Sequence, residues 1–367
     1  MSVRAMVLRG DGSLPQPREF AEPQLETGSV LVETIASEVC GTDVHLRHGR
    51  LAGVPYPIIP GHVSVGRVHT VRGDVRDCDD TAISTGDVVT FLDVHRTCGH
   101  CWYCLVAKAS TRCPERRVYG ITYSADQGLL GGWSERILLL PGVRIIRLPE
   151  SLPADVFMAG GCGLPTALHA IQRGEVTFGD RVVIQGAGPV GLCATVFAQL
   201  HGASQVIVIG GPASRLDMAR QLGADVTIDI AKYSVPERLR FVREITGGRG
   251  ADVTIEATGV PSAVSEGMHL CRDAGTLVVV GQYTDNGRTD INPHLDINQP
   301  HLRVLGCWGS DFGHLYRAIQ TLARHAGRFP WRSMITGTFS LEQAGEALET
   351  AESQSSIKSL ILPNGTL

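Results

Sequence analysis

Arg181-Val182-Val183-Ile184-Gln185-Gly186-Ala187-Gly188-Pro189-Val190-Gly191 is the stretch from which the fold of this chain can be read. A short apolar run of the kind that forms a buried strand leads within two residues into Gly186-x-Gly188-x-x-Gly191, and an alanine-rich, helix-length segment follows to about Leu200. Between a strand and a helix each glycine has a physical task. The first permits a tight turn, the second lets the backbone approach a pyrophosphate, and the third lets helix and strand pack closely, with the helix N-terminus facing the anion. A plain strand-to-helix turn is the alternative. The surroundings favour a nucleotide unit: strand-like Gln205–Ile209, Val226–Asp229, Ala251–Glu256 and Gly275–Gly281 alternate with helical segments such as Ser214–Leu222. Such β-α-β alternation predicts a doubly wound parallel sheet covered on both faces.

In NAD-binding units of this kind an acidic residue about 20 positions beyond the glycines holds the ribose hydroxyls. Here the second strand, Val206–Ile209, runs into Gly210-Gly211-Pro212, with Ser214 and Arg215 just beyond. No carboxylate repels a 2′-phosphate, and Arg215 could contact ribose or phosphate or stand in solvent. The choice between NAD and NADP stays open at this point.

Upstream the rhythm differs. Ser29–Val39, Val63–Val71, Asp87–Leu92, Ser134–Leu140 and Val143–Leu148 read as short strands separated by turns such as Gly10-Asp11-Gly12 and Pro55-Tyr56-Pro57. That pattern predicts a barrel or sandwich. After about residue 310 come two helical segments, Leu315–His325 and Leu341–Ala351, and a last strand, Lys358–Leu362.

Within the β-rich part, Cys98-x2-Cys101-x2-Cys104-x8-Cys113 can close a tetrahedron around one Zn²⁺ with no position left for a substrate, the pattern of a structural site. Buried thiols or two disulfides are the alternative. The N-terminus lacks the apolar core of a signal peptide, so a cytoplasmic, reducing compartment is expected, where clustered cysteines read as metal ligands. The 367 residues suffice for about two domains. A formal net charge of −4 without a basic block excludes nucleic acid as an expected partner, and no stretch is apolar enough to span a membrane. The 43 glycines imply many tight turns and close backbone approaches.

An open, catalytic zinc site needs three protein ligands and an exchangeable position. Cys40 follows the strand Val30–Val39 and opens Cys40-Gly41-Thr42-Asp43; His62 lies in Gly61-His62-Val63-Ser64-Val65-Gly66; Cys162 lies in Gly160-Gly161-Cys162-Gly163. Taken singly, each reads as well as a buried thiol or a core histidine. Together with the four-cysteine lobe and the glycine fingerprint, in this order and spacing, they make the chain resemble the zinc-dependent medium-chain dehydrogenases/reductases, the alcohol and polyol dehydrogenase superfamily, over essentially its whole length.

The resemblance implies a GroES-like β-barrel catalytic domain with an inserted Rossmann domain and an active site in the cleft between them. The expected boundaries are 1–162 for the catalytic domain (structural-zinc lobe 95–115), 163–310 for the Rossmann domain, and 311–367 for a segment completing the catalytic domain. It implies two zinc ions per chain: Cys40, His62 and Cys162 hold the catalytic one, and Cys98, Cys101, Cys104 and Cys113 the structural one. Asp43 matches the carboxylate that orients the histidine ligand, Thr42 the hydroxyl that takes the substrate's proton, and His45 the outer member of that relay. Thr166 and Val190 match nicotinamide contacts, Lys358 a basic residue near the cofactor phosphates, and Leu51 a wall of the substrate pocket. Gly186, Gly188, Gly191, Gly210, Gly211 and Arg215 belong to the cofactor side.

The implied reaction is hydride transfer between a secondary alcohol or ketone (a polyol, cyclitol or cyclic alcohol) and NAD or NADP. Reduction of an activated C=C bond is the alternative, disfavoured by an intact Thr42/His45 relay. The implied assembly is a homodimer or homotetramer joined through the edge strand Leu302–Cys307. Two departures stand out. The family usually carries a Glu directly after the histidine ligand, near the zinc and paired with the basic residue matched by Lys358; here that position is Val63. The last gap of the cysteine lobe is also one residue longer than usual, which a loop tolerates at little cost.

Overall fold

The computed structural model describes residues 2–365. The chain divides into two compact units, one formed by 1–161, 311–326 and 332–367, the other by 162–310 and 327–331. The second unit is built on six parallel strands, which stand across the sheet as Val226–Asp229, Gln205–Gly210, Arg181–Gln185, Ala251–Glu256, Cys271–Val279 and Arg303–Gly306. In chain order this is third, second, first, fourth, fifth, sixth, so the order reverses beside Arg181–Gln185, the strand that carries the glycine turn. In open sheets of this kind a ligand binds at such a switch point, in the crevice outside the carboxyl ends of the strands. Val182, Val183 and Ile184 are fully buried, as strands covered on both faces require. Val183, Ile207, Ile209 and Ile228 pack with Val242 and Leu270 into a core on one side of the sheet. Helix Pro189–Leu200 begins with Pro at its first turn, where a missing N–H costs nothing, and buries every residue from Gly191 to Ala198.

The first unit centres on strand Val30–Val39, which pairs antiparallel with Ser64–Val71, Arg136–Leu139 and Lys358–Leu362. Val88–Phe91 and Ile145–Arg147 extend one side, and Ile335–Ser340 pairs parallel with Lys358–Leu362 on the other. The C-terminal strand thus lies against the strand that ends at Cys40. The second half of Val30–Val39 is buried from Ser37 to Val39, so the residues just before Cys40 sit inside the unit. Helix Phe312–His325 returns to this unit with Leu315, Ala318, Ile319 and Leu322 buried, spaced by three, one and three as one helix face demands.

Strands at Arg181–Gln185, Val226–Asp229, Ala251–Glu256 and Lys358–Leu362 have the bounds that the sequence pattern predicts. The remaining expected strands are present with ends shifted by one to four residues. A hairpin of Ser2–Val7 with Gln16–Ala21, and the seven-residue helix Gly41–Arg47, have no counterpart in that pattern.

Candidate active site

Cys40 is the N-cap of helix Gly41–Arg47, placed there as the strand Val30–Val39 ends. Its backbone N–H donates to Asp43 Oδ2 at 2.9 Å, and the Asp43 N–H donates to the Cys40 carbonyl at 3.0 Å, so the turn is pinned from both ends. His62 precedes the partner strand Ser64–Val71, and its Nε2 lies 3.9 Å from Cys40 Sγ. Cys162, directly after Gly161, completes a group in which one ligand atom each of Glu38, Cys40, His62 and Cys162 lies within 4.8 Å of the others. The three expected ligands are brought together, and Glu38 joins them.

Ligand atoms about 2.0–2.3 Å from a tetrahedral zinc stand about 3.3–3.8 Å from one another. The 3.9 Å from Cys40 Sγ to His62 Nε2, and the 3.4 Å from His62 Nε2 to Glu38 Oε1, fit that scale. Burial by itself would lower the His62 pKa, but the Cys40 thiolate and the Asp43 and Glu38 carboxylates outweigh it and raise it well above the ordinary value. Surroundings that draw a proton onto a buried imidazole draw a divalent cation equally, so the donor set fits zinc.

Asp43 is fully buried, and burial, reinforced by the Cys40 thiolate, pushes its carboxyl well above the usual carboxylate range. Its Oδ1 and His62 Nδ1 are both buried without a hydrogen-bond partner. The direct carboxylate–imidazole bond expected from the resemblance is therefore not formed. Asp43 fixes the Cys40 backbone.

Lys358 stands in the same group. It is 1% exposed, and its ammonium stands 2.7 Å from Glu38 Oε2. A buried ammonium is thus hydrogen-bonded to a buried carboxylate of the metal group, the kind of pairing that the resemblance gives to the basic residue at this position, with the carboxylate supplied from position 38 rather than 63. Glu38 itself escaped the reading of the sequence. Its one local signal was that residues 38 and 40 share a face of an extended chain.

Thr42 and His45 lie three apart on helix Gly41–Arg47, hence on adjoining positions of one face, and both are partly buried. Burial, followed by Arg50, lowers the His45 pKa and keeps its imidazole neutral and able to accept a proton. His95 is held by Tyr123 Oη at 2.5 Å and by the Pro141 carbonyl at 3.1 Å. His48 pairs with Glu352 and His169 with the Gly309 carbonyl, so each has a structural partner.

In the cysteine lobe, ligand atoms of Cys98, Cys101, Cys104 and Cys113 also lie within 4.8 Å of one another. The Cys98 N–H donates to Cys113 Sγ at 3.2 Å and the Cys101 N–H to Cys98 Sγ at 3.3 Å. Backbone donors, that of His100 foremost, hold the Cys98 thiol down to about 6, while burial pushes the Cys104 thiol up to about 11, so the backbone favours one thiolate and a bound cation would have to hold the others. This set fits a closed zinc site.

In the glycine turn, Gly186 adopts φ +111°, and a Cβ there would stand 2.6 Å from the Ala257 carbonyl oxygen. A Cβ on Gly191 would overlap the Gly186 carbonyl oxygen, so helix and strand meet at van der Waals limit. Around Gly188 the space is open, its nearest side-chain neighbour being Arg215 Nη1 at 4.0 Å from a Cβ position. A backbone left bare for an anion, with a guanidinium beside it, fits a dinucleotide phosphate. Gly210 backs onto Ala187 N at 3.0 Å from its Cβ position, and Gly211 is partly exposed. Thr166 on helix Gly163–Arg173 and Val190 on helix Pro189–Leu200 are partly buried, as is Leu51.

Residues 189–324 match the zinc-binding dehydrogenase family, and residues 26–150 match the alcohol dehydrogenase GroES-like domain. Among characterised proteins, 5-exo-hydroxycamphor dehydrogenase of Pseudomonas putida is 35% identical over 338 residues, covering 91% of each chain. Erythritol/L-threitol dehydrogenase of Mycolicibacterium smegmatis is 30% identical over 363 residues, covering 94% of this chain and 93% of that one. The crystal structure of an alcohol dehydrogenase from Thermotoga maritima superimposes with a TM-score of 0.94 at 35% identity, over 99% of this chain and 100% of that one. A zinc-binding dehydrogenase from Sinorhizobium meliloti 1021, solved with NADP, has a TM-score of 0.85 at 28% identity, over 99% and 100%.

Proposed function

The chain belongs to the zinc-dependent medium-chain alcohol and polyol dehydrogenases, and from that premise we propose that its own residues oxidise a secondary, polyol-like or cyclic alcohol with NADP⁺ at a zinc held by Cys40, His62 and Cys162. The convergence of those three residues from distant parts of the sequence carries this reading. The enzyme transfers hydride between an alcohol or ketone and a nicotinamide cofactor. When bound, zinc supplies Lewis acidity toward the substrate oxygen and the nicotinamide supplies the hydride acceptor.

The protein's part is orientation and proton movement. Thr42 Oγ1 takes the proton from the substrate hydroxyl, and His45, kept neutral by burial, passes it toward solvent. The peptide groups around Gly186 and Gly188 and the N-terminus of helix Pro189–Leu200 receive the pyrophosphate. Thr166 and Val190 flank the nicotinamide, and Leu51 lines the substrate pocket. Gly210 and Gly211 bring no carboxylate against a 2′-phosphate, and Arg215 stands beside Gly188, which supports NADP over NAD. The names of the relatives, a hydroxycamphor and a tetritol dehydrogenase, support a secondary alcohol on a ring or polyol chain.

A second zinc in the cysteine lobe acts as a structural clamp. In this reading the first unit is catalytic and the second binds the dinucleotide. We place the chain in a reducing cytoplasm, where clustered cysteines serve as metal ligands rather than disulfides. No helix among the described residues is long and apolar enough to cross a membrane. Edge strand Arg303–Gly306, with Val304 exposed, is the surface through which two copies would extend one sheet into another as a dimer or tetramer.

The test is metal stoichiometry. The wild-type chain is expected to hold two zinc ions, and Cys40→Ser to retain one, with an unchanged circular dichroism spectrum and no alcohol oxidation. A Cys40→Ser protein that still holds two zincs and turns over would overturn the assignment.

A further inference from the structure

Glu38 lies in the metal group, yet neither the reading of the sequence nor the resemblance gives it a part. It is fully buried, as is Lys358, and its two carboxylate oxygens face opposite ways: Oε1 stands 3.4 Å from His62 Nε2, and Oε2 stands 2.7 Å from Lys358 Nζ. The first separation matches the edge between a nitrogen and an oxygen ligand of one zinc, about 3.3–3.4 Å for metal distances near 2.0–2.1 Å. One oxygen is therefore placed among the ligands while the other is tied to a cation.

Three further observations give the position its meaning. The Glu38 N–H donates to the Val63 carbonyl at 3.1 Å, in line with the ladder that pairs Ser37 with Ser64. Residues 38 and 63 are thus opposite each other across two antiparallel strands, where side chains fall on the same face. Lys358 is anchored on the other flank, where strand Lys358–Leu362 pairs Leu360 with Glu38. Gly161 leaves the room: a Cβ there would overlap Glu38 Oε2 and lie 2.9 Å from Lys358 Nζ. The carboxylate missing at Val63 is present one strand away, beside the same histidine.

Charge explains why both groups stay buried. A divalent cation with two thiolates is neutral; adding Glu38 leaves one negative charge, and Lys358 cancels it. Without Lys358 the carboxylate would be drawn wholly to the metal, and without Glu38 the ammonium would be a buried, uncompensated charge, which is costly.

The geometry points to Glu38 as a fourth, exchangeable protein ligand of the catalytic zinc, with Lys358 as the competing partner that holds it off when a substrate oxygen needs the position. This rests on the metal reading of Cys40, His62 and Cys162. Glu38 is the ligand and Lys358 the positioning residue.

The two variants Glu38→Gln and Lys358→Met separate this from a simple buried ion pair. Zinc loss from the purified holoenzyme to a chromogenic chelator is followed by absorbance, and Cys40→Ser identifies which kinetic phase belongs to the catalytic zinc. Glu38→Gln is expected to lose that zinc about tenfold faster, the lower end of what loss of a group supporting a metal site does. Lys358→Met, which frees the carboxylate for the metal, is expected to lose it more slowly. The combined variant, which leaves no lone buried charge, is expected to follow Glu38→Gln. The structural-zinc phase stays constant throughout. A purely structural ion pair would make both single variants faster; that result, or unchanged release in the combined variant, overturns the inference while two zincs per wild-type chain leave the functional reading intact. A wild-type chain holding one zinc overturns the functional reading itself.

Discussion

At the scale of the residue, the metal group shows how much a single side chain can hide. Cys40, His62 and Cys162, each readable singly as a buried thiol or a core histidine, stand out as ligands only through the resemblance that their order and spacing carry. Glu38 does not, because what makes it chemical lies 24 residues away at His62 and 320 residues away at Lys358. Spacing along the chain carries no trace of such contacts. Lys358 meets the carboxylate near the metal that the resemblance implies, but from Glu38 and not from position 63, and a basic residue in a strand gives no sign of which carboxylate it faces. The position opposite Glu38 yields a prediction. Val63→Glu would set two carboxylates face to face across the ladder, and like charges there are destabilising. The variant is expected to keep two zincs and to lose about 1–3 kcal/mol of stability by denaturant titration, the cost of a buried polar group with an unfavourable partner. Addition of Glu38→Gln to Val63→Glu is expected to recover part of that loss. Unchanged stability in Val63→Glu would show that the two side chains do not meet.

At the scale of the element, legibility followed hydrophobic pattern. Val226–Asp229 and Ala251–Glu256 announce themselves by strict alternation of apolar Val, Ile and Ala with Thr, Asp and Glu between turns, the period of two that marks a strand. Helix Gly41–Arg47 spans barely two turns, too short for a 3.6-residue period to emerge, and it is held by the Asp43–Cys40 bonds more than by pattern. Strand Gln16–Ala21 is exposed at nearly every position and has no alternation to read.

Helix Phe312–His325 offers a test of electrostatics at an element end. Asp311 caps it, accepting from the His314 N–H at 3.3 Å and lying 2.9 Å from the His314 ring. The His314 side chain is the first cause that holds the Asp311 carboxyl down to about 2, from an ordinary 3.8. A depressed carboxylate contributes stability that is present above its unfolded pKa and is lost as pH falls through its folded one. Asp311→Asn keeps the cap and removes the charge. The melting-temperature difference between wild type and Asp311→Asn is expected to be constant near pH 5 and to shrink as pH is lowered toward 3. Because Asp311 is about half exposed, the difference is expected to be small, and a difference independent of pH would contradict the account.

At the level of the whole molecule, the two kinds of periodicity in the sequence divide the chain into a β-rich part, an alternating part and a tail. The return of residues 311–326 and 332–367 to the first unit is what brings Lys358 beside Glu38. That closure could not be derived from pattern, since pairing between the last strand and Val30–Val39 joins positions more than 300 residues apart. The family's chemistry then assembles from residues contributed by distant segments, each held by ordinary strand ends and helix caps.

The central claim, oxidation of a secondary alcohol with a nicotinamide cofactor at a zinc site, is tested most directly by the absorbance of reduced nicotinamide. Purified enzyme is offered a panel of linear polyols, cyclitols and cyclic secondary alcohols with NAD⁺ or NADP⁺. Reduction is expected with at least one secondary alcohol, faster with NADP⁺, and none by Cys40→Ser. No turnover of any alcohol, alongside consumption of reduced cofactor with an activated alkene such as an enone, would contradict it.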